Sequence, residues 1–189
     1  IPNMVLMAPA DEDECRQMLY TGTTLSGPSA VRYPRGVGDA TPPVAQMTAL
    51  PVGRGVIRRE GGSGLALLVF GTLLSPALKL AERLDATVVN MRFIKPLDTD
   101  LLLAIAARHS ALVTLEENAV AGGAGTAVAE ALAAAGVMIP LQLVGIPDEF
   151  IEHGSRNDCL VAAGLDPVGL ARRIEPWWQD LRGTPRRVA

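Results

Sequence analysis

Arg35 closes the run Pro28-Ser-Ala-Val-Arg-Tyr-Pro-Arg-Gly36, whose residue types could capture an anion. In an extended backbone Val31, Tyr33 and Arg35 alternate with Ala30, Arg32 and Pro34, so Arg35 and Arg32 face opposite ways. Pro34 has no amide proton to give to a ladder, so regular pairing is expected to stop there, and Gly36 lets the chain turn away. A guanidinium fixed in this manner suits bidentate binding of a phosphate or carboxylate. The same spacing also suits a solvated arginine ahead of a linker, and spacing alone does not choose between the two.

Other groups could do chemistry, each with a plainer reading beside it. Glu116 and Glu117 end one predicted strand, and paired carboxylates can do acid–base work; one solvated and one capping or bridging accounts for them as well. Gly122-Gly-Ala-Gly125 lies between a predicted strand and helix, where phosphates bind helix N-termini. No Lys-Ser/Thr pair follows it, and Val128 stands where the dinucleotide pattern needs its third Gly or Ala, so close backbone packing is the expected role. His109 follows Arg108 at a helix end, where positive charge complements the dipole; His153 sits on a loop and could line a pocket. Trp177 and Trp178 are expected to pack rather than to stack on bases. With His109 and His153 the only histidines, no metal site or Ser-His-Asp arrangement is expected; Cys15 and Cys159 form no ligand pattern, and a reduced, cytoplasmic setting without a secretory leader is the expectation.

Positioning these residues calls for an α/β scaffold. The chain has 189 residues, 49% apolar, with a net charge of -3 and no basic run, which argues against nucleic acid. Its longest apolar runs, such as Leu65–Phe70, are strand-length, so no membrane span is expected. Residues 1–36 read as strand Met4–Pro9, a helix from Asp11, capped with Glu14 as box partner, to about Leu25, and strand Pro28–Pro34. That is one right-handed βαβ unit with both sheet edges exposed. Two parallel strands cannot stand alone, and Ile1 is not an initiator, so the expectation is the end of a doubly wound parallel sheet domain whose N-terminal part is missing. Residues 37–51, rich in proline, read as a linker. Residues 52–182 read as a second unit and 183–189 as a tail. Within the second unit, Val52–Arg59 and Leu65–Phe70 flank Glu60–Gly64 as an antiparallel hairpin. Helix 72–83, strand 86–93, helix 98–108 capped by Asp98, strand 111–116, helix 125–135, strand 138–144 and a helix opening at Asp166-Pro167 follow. The predicted architecture is a five-stranded, mostly parallel sheet with one antiparallel edge strand.

The runs Ala10-Asp-Glu-Asp-Glu-Cys-Arg-Gln-Met-Leu-Tyr-Thr-Gly22 and Gly27-Pro-Ser-Ala-Val-Arg-Tyr-Pro-Arg-Gly36 resemble the 1-deoxy-D-xylulose 5-phosphate synthases. Met91–Asp98, Leu112–Asn118, Gly122–Gly125, Gly145–Asp148 and Gly164–Asp166 continue the similarity in order, across all but the linker and tail. The resemblance implies a homodimeric transferase of three domains. With thiamine diphosphate and Mg2+ it decarboxylates pyruvate and joins the two-carbon unit to glyceraldehyde 3-phosphate, feeding isoprenoid and thiamine biosynthesis. This chain matches the end of the second, pyrimidine-binding domain (1–36) and all of the third, transketolase C-terminal-like domain (52–182). The family's Gly-Asp-Gly motif, cofactor-activating glutamate and active-site histidine are not in it, so it is expected to carry no catalytic, cofactor or metal residue and to be inactive alone. One functional residue transfers: Arg35 matches the arginine that binds the substrate phosphate. Arg32 matches a family position too, with a structural ion pair expected. The rivals are the C-terminal part of another transketolase-like thiamine enzyme and a non-catalytic oligomerisation module.

Overall fold

The computed structural model describes residues 1–36 and 42–183. In chain order these form β1 (Val5–Met7), α1 (Glu12–Thr24), β2 (Ser29–Val31), β3 (Val56–Arg59), β4 (Leu65–Phe70), α2 (Leu74–Leu84), β5 (Thr87–Asn90), β6 (Phe93–Lys95), α3 (Thr99–Arg108), β7 (Ala111–Ala119), α4 (Ala124–Ala134), β8 (Leu141–Ile146), α5 (Arg156–Ala162) and α6 (Pro167–Gly183). The larger sheet runs β3-β5-β4-β7-β8, parallel except at β3. Its centre is β4, in which all six residues are buried, as a strand covered on both faces must be. Alternation divides them: Leu65, Leu67 and Val69 pack with α2 and α6, while Ala66, Leu68 and Phe70 pack with α3 and α4. The predicted five-stranded sheet with an antiparallel edge is therefore present.

The hairpin is not. β3 pairs with β5 instead of β4, because both edges of β4 are filled by the parallel neighbours β5 and β7. The Glu60–Gly64 loop is carried past the start of β5, where Asp85 receives the Gly62 amide (3.0 Å) and Arg59 (3.0 Å) and Thr87 Oγ1 receives the Gly61 amide (3.1 Å). Half-exposed β3 suits an edge; buried β4 does not.

The expected strand 86–93 divides in two. β5 ends at Asn90, Arg92 takes φ 60°, and β6 joins a second sheet of order β2-β1-β6. There β1 and β2 pair in parallel as predicted, but β6 pairs antiparallel with β1, so one of the edges expected to be open is covered by the second unit. Met7, Met18 and Phe93 form the small core beneath. Asp11 caps α1 through the Glu14 amide (2.8 Å). Glu14 does not complete the box. Its buried carboxylate accepts from the Ala10 amide (2.8 Å), Asn90 Nδ2 (3.0 Å) and Arg92 Nε (2.6 Å), tying α1 to the sheet crossing.

The linker folds back along α1. Val44, Thr48 and Leu50 donate their amides to Asp13, Gln17 and Thr21. Residues 37–41 of the linker and 184–189 of the tail lie outside the described residues. Helix α5 was not anticipated; Ser155 and Asp158 cap it with a reciprocal box.

Candidate functional site

The β2 ladder ends where proline requires. The Arg32 amide still bonds the Met7 carbonyl (2.8 Å), Pro34 gives nothing, and Gly36 turns at φ 157°. Arg35 is exposed between them, and among the described residues its guanidinium has no hydrogen bond or ion pair. Arg35 does not itself line a cleft, but its neighbours do: one of about 120 Å³ is lined by Pro9 and Ala10 after β1, Tyr33, Pro34 and Gly36 after β2, and Thr72 after β4, with Arg156 across from them. Carboxyl ends of parallel strands from both sheets thus meet at one place, the usual position for a ligand crevice in α/β folds.

The far wall is a closed hydrogen-bonded triangle. Arg156, first residue of α5, reaches Glu117 through Nη2 (2.8 Å) and Nε (3.3 Å), and its Nη2 also donates to Thr72 Oγ1 (2.9 Å). The Thr72 hydroxyl donates in turn to Glu117 (2.7 Å). The aliphatic part of Arg156 lies under the turn: a Cβ on Gly36 would come 3.4 Å from its Cδ. Sequence reasoning missed Arg156. The available signal was Ser155 followed by Asp158, an N-cap pattern that puts Arg156 at the head of a helix.

The two adjacent carboxylates serve separate ends. Glu116 is buried and accepts the amides of Ala124 (2.7 Å) and Gly125 (2.8 Å), so an internal anion fills the N-terminus of α4. Glu117 bridges to Arg156 and is not solvated. The Gly122 loop packs as the spacing predicts: a Cβ on Gly123 would overlap the Ala119 carbonyl and the Glu116 carboxylate, and one on Gly125 would sit 2.5 Å from Thr114 Oγ1. Arg32 departs from its expected ion pair. Glu116 is held by α4 and Glu117 by Arg156, so the half-buried Arg32 has no direct pair with either, and shares a small pocket with Glu116 alone. Burial pushes its guanidinium below the usual value, and the two carboxylates act against that.

The remaining candidates are not brought into the cleft, with one exception. His109 caps α3, with Nδ1 2.7 Å from the Ile105 carbonyl and Nε2 2.9 Å from Thr87 Oγ1. His153 is exposed on the loop before α5. Trp178 is buried in the α2–α6 core with Trp177 packed against it. Cys15, the exception, lines the cleft; burial first and Glu12 second push its thiol up, away from the reactive form. The described residues do not fit a diphosphate or its metal: the α4 amides already hold Glu116, and no group of three or more His, Cys, Asp or Glu could bind a metal ion. No described helix is long and apolar enough to cross a membrane.

Residues 53–170 match the family described as "Transketolase, C-terminal domain". The chain belongs to that family. As a transketolase C-terminal domain with a preceding βαβ piece, it is similar end to end to curated relatives named 1-deoxy-D-xylulose-5-phosphate synthase. One from Nitrosococcus oceani is 56% identical over 94% of this chain and 28% of its own length. Another from Methylococcus capsulatus is 56% identical over 100% of this chain and 30% of its own. The chain thus spans under a third of the length of the relatives it matches. A solved structure described as "Split gene transketolase, inactive beta4 tetramer" superposes with TM-score 0.80 at 30% identity, covering 95% of this transketolase-family chain and 58% of that one. A transketolase from Campylobacter jejuni, at TM-score 0.60 and 18% identity over 93% of this chain and 26% of its own, shares the fold.

Proposed function

We propose that this chain is the C-terminal part of a thiamine diphosphate-dependent synthase that condenses pyruvate with glyceraldehyde 3-phosphate to 1-deoxy-D-xylulose 5-phosphate and CO2. The observation carrying this reading is 56% identity along essentially the whole chain to proteins of that name. In this reading the cofactor and Mg2+ are held by residues outside this chain, whose described residues offer them no site. The complete enzyme is a cytoplasmic homodimer, and residues 52–182 support its assembly without giving a reacting group.

In this reading Arg35 binds the phosphate of the acceptor aldehyde. Its guanidinium stands exposed and uncommitted among the described residues, just past the carboxyl end of β2. Holding the non-reacting end of the acceptor turns remote binding energy into alignment of the aldehyde carbon. Arg35→Ala in the full-length enzyme is expected to raise KM for glyceraldehyde 3-phosphate about 10- to 100-fold, from about 1.5–3 kcal/mol for hydrogen bonds to a charged group. KM for pyruvate should stay within about 2-fold, since it carries no phosphate. Equal rises for both substrates would count against the assignment.

A second reading, a separately encoded non-catalytic subunit, is favoured by the solved neighbour described as a split-gene product and an inactive tetramer. Intact mass of the natively purified protein separates the two. A species far heavier than 19.9 kDa supports the synthase, and a single species of that mass supports the subunit.

A further inference from the structure

The turn that carries Arg35 has one wall of its own unit and one of the other. Tyr33, Pro34 and Gly36 line the cleft from one side, and Thr72 and Arg156 line it from the other. Nothing in residues 1–36 holds the Arg35–Gly36 turn from beneath: Arg35 has no partner among the described residues, and Pro34 has no amide to donate. What lies under it is the aliphatic stem of Arg156, close enough that a Cβ on Gly36 would touch it at 3.4 Å. That stem is not free to move. Its head is fixed by Glu117 at 2.8 and 3.3 Å and by Thr72 at 2.9 Å, and its backbone by the capping box of α5. The pair is largely shielded, with Arg156 26% and Glu117 14% exposed, so solvent screens it less than a surface pair.

Arg156 lies at the start of a seven-residue helix with no buried residues, so its guanidinium is not there to fill a core. Its contacts instead join the ends of β4 and β7 to the far wall of the cleft. From this arrangement we infer that Arg156, locked by Glu117 and Thr72, is a positioning residue that holds the Arg35 turn at the height needed to receive the acceptor phosphate. The transketolase C-terminal domain thereby sets acceptor recognition without touching the acceptor. This inference rests on the reading of Arg35 given above.

The test uses the full-length enzyme with R35A, R156A, R156K and the double variant R35A/R156A, each checked for an unchanged melting profile. R156A should raise KM for glyceraldehyde 3-phosphate about 10-fold, the scale expected when a binding group is displaced by a fraction of an ångström, and leave that for pyruvate within about 2-fold. R156K, which keeps a cation opposite Glu117 but lacks the fork, should recover part of the loss. The double variant should be no worse than R35A, because Arg156 acts through Arg35. In parallel, hydrogen exchange at the Arg32 amide, which bonds the Met7 carbonyl just before the turn, should quicken in R156A, a readout independent of turnover. Should R156A not fold, Thr72→Val removes one anchor of the same guanidinium and carries the same expectations in weaker form.

Three outcomes overturn the inference while leaving the phosphate role of Arg35 intact. They are an unchanged acceptor KM in R156A, a full additional loss in the double variant, and equal rises for both substrates. If R35A itself leaves the acceptor KM unchanged, the phosphate role fails and this inference falls with it.

Discussion

At the scale of single residues, the buried carboxylate of Glu14 is the most exacting group in the chain. Its oxygens satisfy Arg92, Asn90 and the Ala10 amide, so truncating it strands a half-buried cation and a buried amide side chain. Glu14→Ala is expected to cost about 3–5 kcal/mol in urea unfolding, well above an exposed-pair substitution such as Arg83→Ala at about 1 kcal/mol or less. The Gly122 loop offers a cleaner contrast. Gly123 has an ordinary φ of -83° but no room for a Cβ, whereas Gly122 has φ 71° and nothing within 4 Å of the added carbon. Gly122→Ala should cost about 1–2 kcal/mol of left-handed strain. Gly123→Ala should cost more, because backbone and a buried carboxylate must both shift, and denaturant midpoints of the two variants check the order. The position of Arg35 was legible because Pro34 and Gly36 are local signals that act on the backbone beside it. Arg156 was not, because its partners lie 39 and 84 residues away and no spacing rule reaches that far.

Elements were legible where their cause was local. The Asp11 and Asp98 caps and the buried run of β4 each follow from a few adjacent residues. Partner choice was not local. The Gly-rich connection promised a hairpin, but β4 needed two parallel neighbours and β3 was left with the far edge of β5. Asp85 is what holds the displaced loop, through Arg59, the Gly62 amide and its own carbonyl to the Ser63 amide (3.0 Å). The Arg59 hydrogen bond first, and the Gly62 amide second, hold its carboxyl below the usual carboxylate range. A depressed folded value means the contribution is present above the ordinary Asp value and is lost as pH falls through the folded one. Protection of amides 61–63, taken relative to their intrinsic exchange at each pH, should therefore fall in that acid window, and Asp85→Asn should remove this pH dependence of protection while lowering protection at neutral pH.

Across the molecule, the two units are joined less by the linker than by the crossing from β5 to β6. Phe93 is fully buried against Met7 and Met18, so Phe93→Ala should cost the small sheet about 3–5 kcal/mol. Exchange protection should vanish at residues 5–7 and persist at 65–70, whose core shares none of those contacts. A loss of protection in both places would mean that the sheets unfold as one. Composition marks residues 37–51 as the expected seam. By hydrogen bonding the seam lies elsewhere, since β6 belongs to the later part of the chain and the earlier sheet. Anyone excising residues 52–183 at the prolines would carry away a strand stripped of its neighbour, with Phe93 bared and a row of amides and carbonyls open to whatever strand passes. Such a fragment should self-associate through that edge, and a lysine at Ile94 or a retained β1 should keep it apart.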